Sequence, residues 1–188
     1  MMTFKIFTYG SLLNLKSLSC ALARNIDKSE LVPVKLKGYA VSWGYTAWLS
    51  FGKQSLNGMF LTLSPDQDKS ALGTIFCVNE SEFENLKKRE SGYDILKISA
   101  NNFTPLDTNL NLNQNDEIFA FGTLNPREIS GVIPQKYLDI LKTAIQSFDE
   151  NFKIQYIKNV LCDLPFEIKQ GEYSFKNSTQ NAYAKGKF

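Results

Sequence analysis

Strand-forming runs return again and again between Phe4 and Gly122, and helical spacing interrupts them only at Leu12 to Arg24 and Asn79 to Arg89. Phe4 to Tyr9 alternates, is rich in β-formers and is closed by Gly10-Ser11. A series of short strands is expected over 31–63. Val32-Pro33-Val34 leads into Gly38 to Trp43, Gly58 to Leu63 follows, and Gly44, Gly52-Lys53 and Asn57-Gly58 punctuate them. Asp66 to Lys69 reads as a polar loop. Gly73 to Val78, Tyr93 to Ser99 and Glu117 to Gly122 read as further strands. Strand runs followed by helices predict an α+β domain, a small mixed sheet or barrel flanked by helices.

The helices carry their own boundary signals. Leu15, Leu18 and Leu22 share one face of the first. Asn79 with Glu82 three residues later forms the sequence of a capping box, and Phe83 and Leu86 supply an inner face. Ser91-Gly92 ends that helix, with Gly92 free to take a left-handed C-cap. Pro134 opens the longest helix, whose stripe is Tyr137, Leu138, Leu141, Ala144, Ile145 and Phe148. Asn151 to Leu164 predicts a second helix against it. Asn101 to Asn115 is an Asn-rich loop. The expected domain is 1–165, with 166–188 as a polar C-terminal tail, extended or frayed.

With 188 residues, 43% of them hydrophobic, the chain suits one domain with a substantial core. Histidine is absent, which excludes a Ser-His-Asp triad, a Cys-His dyad and any histidine metal site. Cys20, Cys77 and Cys162 stand far apart without a CxxC and read as reduced, buried packing thiols. Asp66, Asp68, Asp116 and Glu117 lack calcium-loop spacing, so neither metal nor cofactor is implied. Formal net charge is +2, and the tail lysines Lys176, Lys185 and Lys187 read as solvated, so no nucleic-acid partner is indicated. Trp43, Tyr45 and Trp48 read as barrel core and rim. No secretory signal or long apolar span is seen, so a cytoplasmic chain with no membrane partner is expected. Oligomeric state is not legible.

Two segments invite chemistry. In Tyr9-Gly10-Ser11-Leu12, a glycine between strand and helix lets the backbone turn sharply, and the free N–H groups of a helix start favour a carboxylate or phosphate. The plain alternative is an ordinary turn with a serine cap. In Arg89-Glu90-Ser91-Gly92-Tyr93, a helix ends on a glutamate; buried there, it can take and return a proton. The plain alternative is a surface Glu90 paired with Lys87 or Arg89.

Together and in order, five segments resemble the γ-glutamylcyclotransferase-like family. They are Tyr9-Gly10-Ser11-Leu12, Gly73-Thr74-Ile75-Phe76, Glu90-Ser91-Gly92-Tyr93, Pro134-Gln135-Lys136-Tyr137-Leu138 and Gln155-Tyr156-Ile157. The resemblance spans about residues 3–160. It implies a small closed mixed β-barrel of five or six strands with flanking helices. It also implies conversion of a γ-glutamyl amide or peptide to 5-oxoproline and a free amine, without metal or cofactor. The resemblance places the catalytic carboxylate on Glu90, and the substrate's carboxylate on the backbone N–H groups of Gly10, Ser11 and Leu12, with Tyr9 and Tyr93 also against substrate. Two departures stand out: Phe119 and Phe121 carry no hydroxyl where relatives often have a Tyr, and Lys87-Lys88-Arg89 precedes Glu90 where relatives often have an acidic residue. These departures leave a second reading, a non-catalytic module that binds a small carboxylate on the same fold.

Overall fold

The computed structural model describes residues 3–106, 112–113, 116–125 and 130–185. A seven-stranded sheet is its centre. β1 (Thr3–Thr8), β2 (Val32–Phe51), β3 (Gln54–Asn79), β4 (Asp94–Ser99), β5 (Phe103–Pro105) and β6 (Glu117–Gly122) run in the order β4-β6-β1-β3-β2-β5. Every pairing in that path is antiparallel except β1 with β6. The helices are α1 (Leu15–Leu22), α2 (Glu80–Arg89), α3 (Gln135–Ile145), α4 (Glu150–Tyr156) and α5 (Ser178–Ala184). Three short strands complete the set: β7 (Ile133–Pro134) pairs in parallel with β8 (Ile168–Lys169), and β9 (Ser174–Phe175) pairs with β2.

The α+β class stands, but the sheet is not closed into the barrel that the resemblance implied. Its two edges, β4 and β5, are consecutive in the chain and joined by the 3-10 turn Ala100–Asn102. Four residue steps reach at most ~14 Å, so the sheet must curl until its edges draw near. No ladder joins β4 to β5 among the described residues; β5 pairs with β2 at Val34 to Leu36.

The short strands expected over 31–63 are instead two long, bent ones. β2 and β3 form a continuous ladder from Val32↔Ile75 to Phe51↔Gln54, turning at Gly52-Lys53, with irregularities between Lys37 and Tyr39 and between Ser42 and Tyr45. Such bulges bend a strand without ending it, so the punctuating glycines mark bends rather than breaks. The Asp66 to Lys69 loop also lies within β3. Part of the Asn-rich loop, Phe103–Pro105, is strand β5, and the rest lies largely outside the described residues. Gly73 earns its place by close approach: a Cβ there would lie 2.2 Å from the Thr8 carbonyl oxygen and 2.7 Å from the Phe7 ring.

The core joins Ile6, Phe7, Leu36, Leu63, Ile75 and Ile118 from the sheet with Leu18, Leu86, Leu141 and Phe152 from the helices in one cluster. The capping box of α2 forms as expected: the Glu82 N–H donates to Asn79 Oδ1 and the Asn79 N–H to Glu82 Oε2, both at 2.9 Å. The first helix, expected from Leu12, begins only at Leu15, where Asn14 caps it; Ser11–Leu13 form a separate 3-10 turn. The helix expected over 151–164 is α4 followed by a π-helical turn at Ile157–Leu161. Cys77 and Cys162 are exposed and Cys20 is half-buried, so they are not the buried packing thiols expected. Outward-facing positions on β3 and after the π turn put the first two at the surface.

Up to Lys185 the C-terminal stretch holds regular elements rather than a frayed chain. β9 docks on β2 at Leu49 and Ser50, the Lys176 N–H donates to the Trp48 carbonyl at 2.9 Å, and Asn177 caps α5. Lys176 and Lys185 are exposed, while Lys187 lies outside the described residues. No described helix is long and apolar enough to cross a membrane.

Candidate active site

The chain turns out of β1 through Tyr9-Gly10 into the 3-10 turn at Ser11–Leu13. The Leu13 N–H donates to the Gly10 carbonyl at 3.0 Å and the Asn14 N–H to the Ser11 carbonyl at 3.1 Å. The first N–H groups of such a turn have no partner inside it, and here those are the groups ahead of Leu13. The buried Tyr156 hydroxyl anchors the turn by donating to the Tyr9 carbonyl at 2.7 Å. Tyr9 donates in turn to the Phe121 carbonyl at 2.5 Å, which ties the turn to β6.

Glu90 is the residue at which α2 stops. Its N–H still donates to the Leu86 carbonyl at 2.8 Å, and its own carbonyl accepts from Tyr93 at the same distance, closing a tight turn over Ser91-Gly92. Gly92 is not left-handed, contrary to the expected cap; the positive-φ glycines among the described residues are Gly38, Gly52 and Gly171. The Glu90–Tyr93 turn ends the helix without that conformation. What Gly92 supplies is space, since a Cβ there would lie 1.8 Å from the Tyr45 hydroxyl.

The turn at Gly10 and the end of α2 face each other. Tyr9, Gly10, Ser11, Leu12, Glu90 and Tyr93, the six residues singled out from sequence, all line one small cavity of about 40 Å³. One guanidinium links its two sides: Arg89 is ion-paired with Glu90 through Nη1, and its Nη2 donates to Ser11 Oγ at 3.3 Å. Both side chains are largely sequestered, with 11% of Arg89 and 15% of Glu90 exposed. The plain alternative, Glu90 paired with Arg89, is therefore realised, but inside a cavity rather than on the surface.

Four tyrosines, Tyr9, Tyr45, Tyr93 and Tyr137, line the same two cavities as this carboxylate. Burial holds the Tyr9, Tyr93 and Tyr137 hydroxyls well above the usual tyrosine range and raises Tyr45, and the nearby Glu90 charge adds to each. All four are therefore neutral hydrogen-bond donors at neutral pH. The irregularity between Ser42 and Tyr45 leaves Leu61 outside the ladder with β2, and its backbone serves the site instead. The Leu61 carbonyl accepts from the Tyr93 hydroxyl at 2.8 Å, and its N–H holds the Tyr137 oxygen. A bulge beside a site that re-aims nearby groups is a recurrent device.

Sequence reasoning missed several residues of the site. Helical spacing marks Tyr137 as core, and it is buried, but it also lines both this cavity and the larger one beside it. For Arg89 the sequence offers only pairing with a surface glutamate. Tyr45, placed at a barrel core or rim, stacks on Tyr93 with ring centroids 3.9 Å apart. Its former companions differ: Trp43 is buried and donates to the Val160 carbonyl, whereas Trp48 is exposed. The adjoining cavity, about 140 Å³, shares Ser11, Glu90, Tyr93 and Tyr137 with the small one and takes its outer wall from Tyr173, Phe175 and Gln180. Among the described residues no group of three or more Cys, Asp or Glu could hold a metal ion.

Comparison with known proteins gives likeness in structure only. No sequence-family profile matches the chain, and no curated protein matches it in sequence. Solved structures do match. An uncharacterised human protein aligns with a TM-score of 0.58 at 12% identity, over 90% of this chain and 95% of its own. A protein described as a γ-glutamyl cyclotransferase aligns at 0.55 and 12% identity, over 89% and 94%. A yeast γ-glutamyl cyclotransferase specific to glutathione aligns at 0.51 and 11% identity, over 84% and 97%. Shared architecture at this identity speaks for the fold and not for the reaction. The chain has the γ-glutamyl cyclotransferase-like fold.

Proposed function

We propose that the protein is a γ-glutamyl cyclotransferase, converting a γ-glutamyl amide to 5-oxoproline and a free amine. The observation that carries this reading is the shared cavity, in which the Glu90 carboxylate and the Gly10–Leu12 turn can touch one small molecule at once. In the reaction the substrate's α-amine attacks its own γ-carbonyl carbon. A C–N bond forms to close a five-membered lactam, and the bond to the leaving nitrogen breaks. The attacking ammonium gives up two protons in all, one before attack and one after it. The leaving nitrogen takes one to depart and a second to become an ammonium. One carboxylate that accepts and returns a proton serves both ends, an effect worth roughly 10²–10⁴ in rate. Holding the chain of the substrate folded, with amine and carbonyl in contact, supplies the remaining advantage of an intramolecular reaction.

In this reading Glu90 is the general base and acid, and the N–H groups of Gly10, Ser11 and Leu12 hold the substrate's α-carboxylate. Tyr9 and Tyr93 close the cavity around the glutamyl chain. The hydroxyl missing at Phe121 is answered by Tyr137, whose oxygen would lie 3.2 Å from a Cβ on Gly10. The Arg89–Glu90 pair favours the second reading, a carboxylate-binding module whose glutamate is structural. Release of 5-oxoproline from γ-glutamyl amides by wild type and Glu90→Gln decides between them. A fall of 100-fold or more in the folded variant supports the enzyme. Measurable binding with no product from wild type supports the module.

A further inference from the structure

The larger cavity adds Phe60, Tyr173 and Phe175 to the residues it shares with the smaller one, and most of its outer wall comes from the last described residues of the chain. Tyr173 and Phe175 face Phe60, with centroids 6.3 and 5.5 Å from its ring, and Phe60 packs edge-on against Tyr137 at 4.9 Å. Gln180 is buried, and its amide bonds to the Tyr45 hydroxyl. Arg89 and Glu90 are the only charged residues lining this cavity among the described residues, and both stand where it joins the small one. The cavity of about 140 Å³ has roughly ten times the ~10–15 Å³ that one water requires.

We infer that this cavity is the subsite for the departing amine, and that it selects γ-glutamyl amides of aromatic primary amines. The inference rests on the cyclotransferase reading, because the shared residues Glu90 and Tyr137 then mark the scissile bond. With the glutamyl head in the small cavity, the leaving nitrogen sits beside Glu90 and its substituent extends between Phe60, Tyr173 and Phe175. An aromatic substituent finds ring faces and edges there. Among the described residues, a leaving group ending in a carboxylate meets no cation except Arg89, which the substrate's own α-carboxylate would claim, and it would be buried without a partner.

The test measures kcat/KM for 5-oxoproline release from γ-glutamyl-2-phenylethylamide, γ-glutamylmethylamide and γ-glutamylglycine. Wild type is expected to prefer the phenylethylamide at least tenfold over each of the others, in line with what added apolar contact in a pocket can discriminate. Phe175→Ala should lose about tenfold more on the phenylethylamide than on the methylamide, and Phe175→Leu should lose less. Equal use of the three amides, or an equal loss on all of them in Phe175→Ala, overturns the subsite while leaving the reaction intact. Absence of product from all three overturns the reaction. Calorimetric binding of the same compounds to Glu90→Gln then reads the subsite separately: tighter binding of the phenylethylamide upholds it and equal binding refutes it.

Discussion

Gly92→Ala separates two opposed physical effects. Gly92 does not have the positive φ that would penalise a side chain, so alanine is allowed by the backbone and should stabilise by ~0.4–1 kcal/mol through the unfolded chain. Against this, the new Cβ would stand 1.8 Å from the Tyr45 oxygen and 2.7 and 3.0 Å from two ring carbons. The tyrosine cannot simply swing aside, because its ring stacks on Tyr93 and its hydroxyl is bonded to Gln180. Overpacking of this kind costs ~1–3 kcal/mol. The net expectation is a loss of about 1–2 kcal/mol in urea-denaturation stability. In a Tyr45→Ala background the obstacle is gone, and Gly92→Ala should become neutral or stabilising. The sign change between backgrounds is the signature, read as a coupling energy in a double-mutant cycle. An equal destabilisation in both backgrounds refutes the argument and returns Gly92 to a purely conformational role.

Three further outcomes follow from buried groups. Burial holds the Tyr9, Tyr93, Tyr137 and Tyr156 hydroxyls above the usual range and Tyr173 at about 12. The folded state therefore keeps protons that the unfolded chain loses. Stability is whole below the ordinary tyrosine value near ~10 and falls as pH rises from there, by up to ~1.4 kcal/mol per pH unit for each group. Urea midpoints that stay flat from pH 9 to 11 would contradict this. Thr74 is fully buried with no hydrogen-bond partner for its hydroxyl, so Thr74→Val should raise stability by about 1 kcal/mol; a loss in thermal or urea midpoint would show that the hydroxyl is satisfied. Tyr156→Phe leaves the Tyr9 carbonyl unpaired in the core and should cost ~1–3 kcal/mol, with an unchanged midpoint as the contrary result.

What the sequence disclosed and what it hid divide along the range of the interactions. The turn after Tyr9 and the helix end at Glu90 were legible because strand, turn and helix end are local patterns, and the capping box at Asn79 and Glu82 is local too. Closure of the sheet was not legible, since it depends on whether β4 meets β5, a matter of hydrogen bonds between edges rather than of composition. The length of β2 and β3 was hidden by glycines that look like breaks and act as bends. β9 has two residues and α5 seven, too short for periodicity to register, and β9 pairs with residues more than a hundred positions earlier. Tyr137 shows a subtler limit. Helical spacing placed it correctly on the inner face of α3, but spacing cannot say that this face looks partly into a cavity.

An arginine beside the proposed base does not oppose the proposed reaction. One guanidinium satisfies both the Glu90 carboxylate and the Ser11 hydroxyl. A sequestered glutamate left alone would carry a large desolvation cost, which the pair offsets. A γ-glutamyl substrate brings one charge of each sign on its α-carbon. Under the proposed reaction its ammonium takes the place of Arg89 at Glu90, and its carboxylate meets the turn N–H groups together with the freed guanidinium. One ion pair is exchanged for two, and no charge is left buried without a partner. The carboxylate that accepts the proton is then in contact with the nitrogen that must lose it. Under the proposed reaction, Arg89 would tie the competence of Glu90 to the arrival of a ligand bearing both charges, a requirement that an isolated glutamate at the end of α2 would not impose.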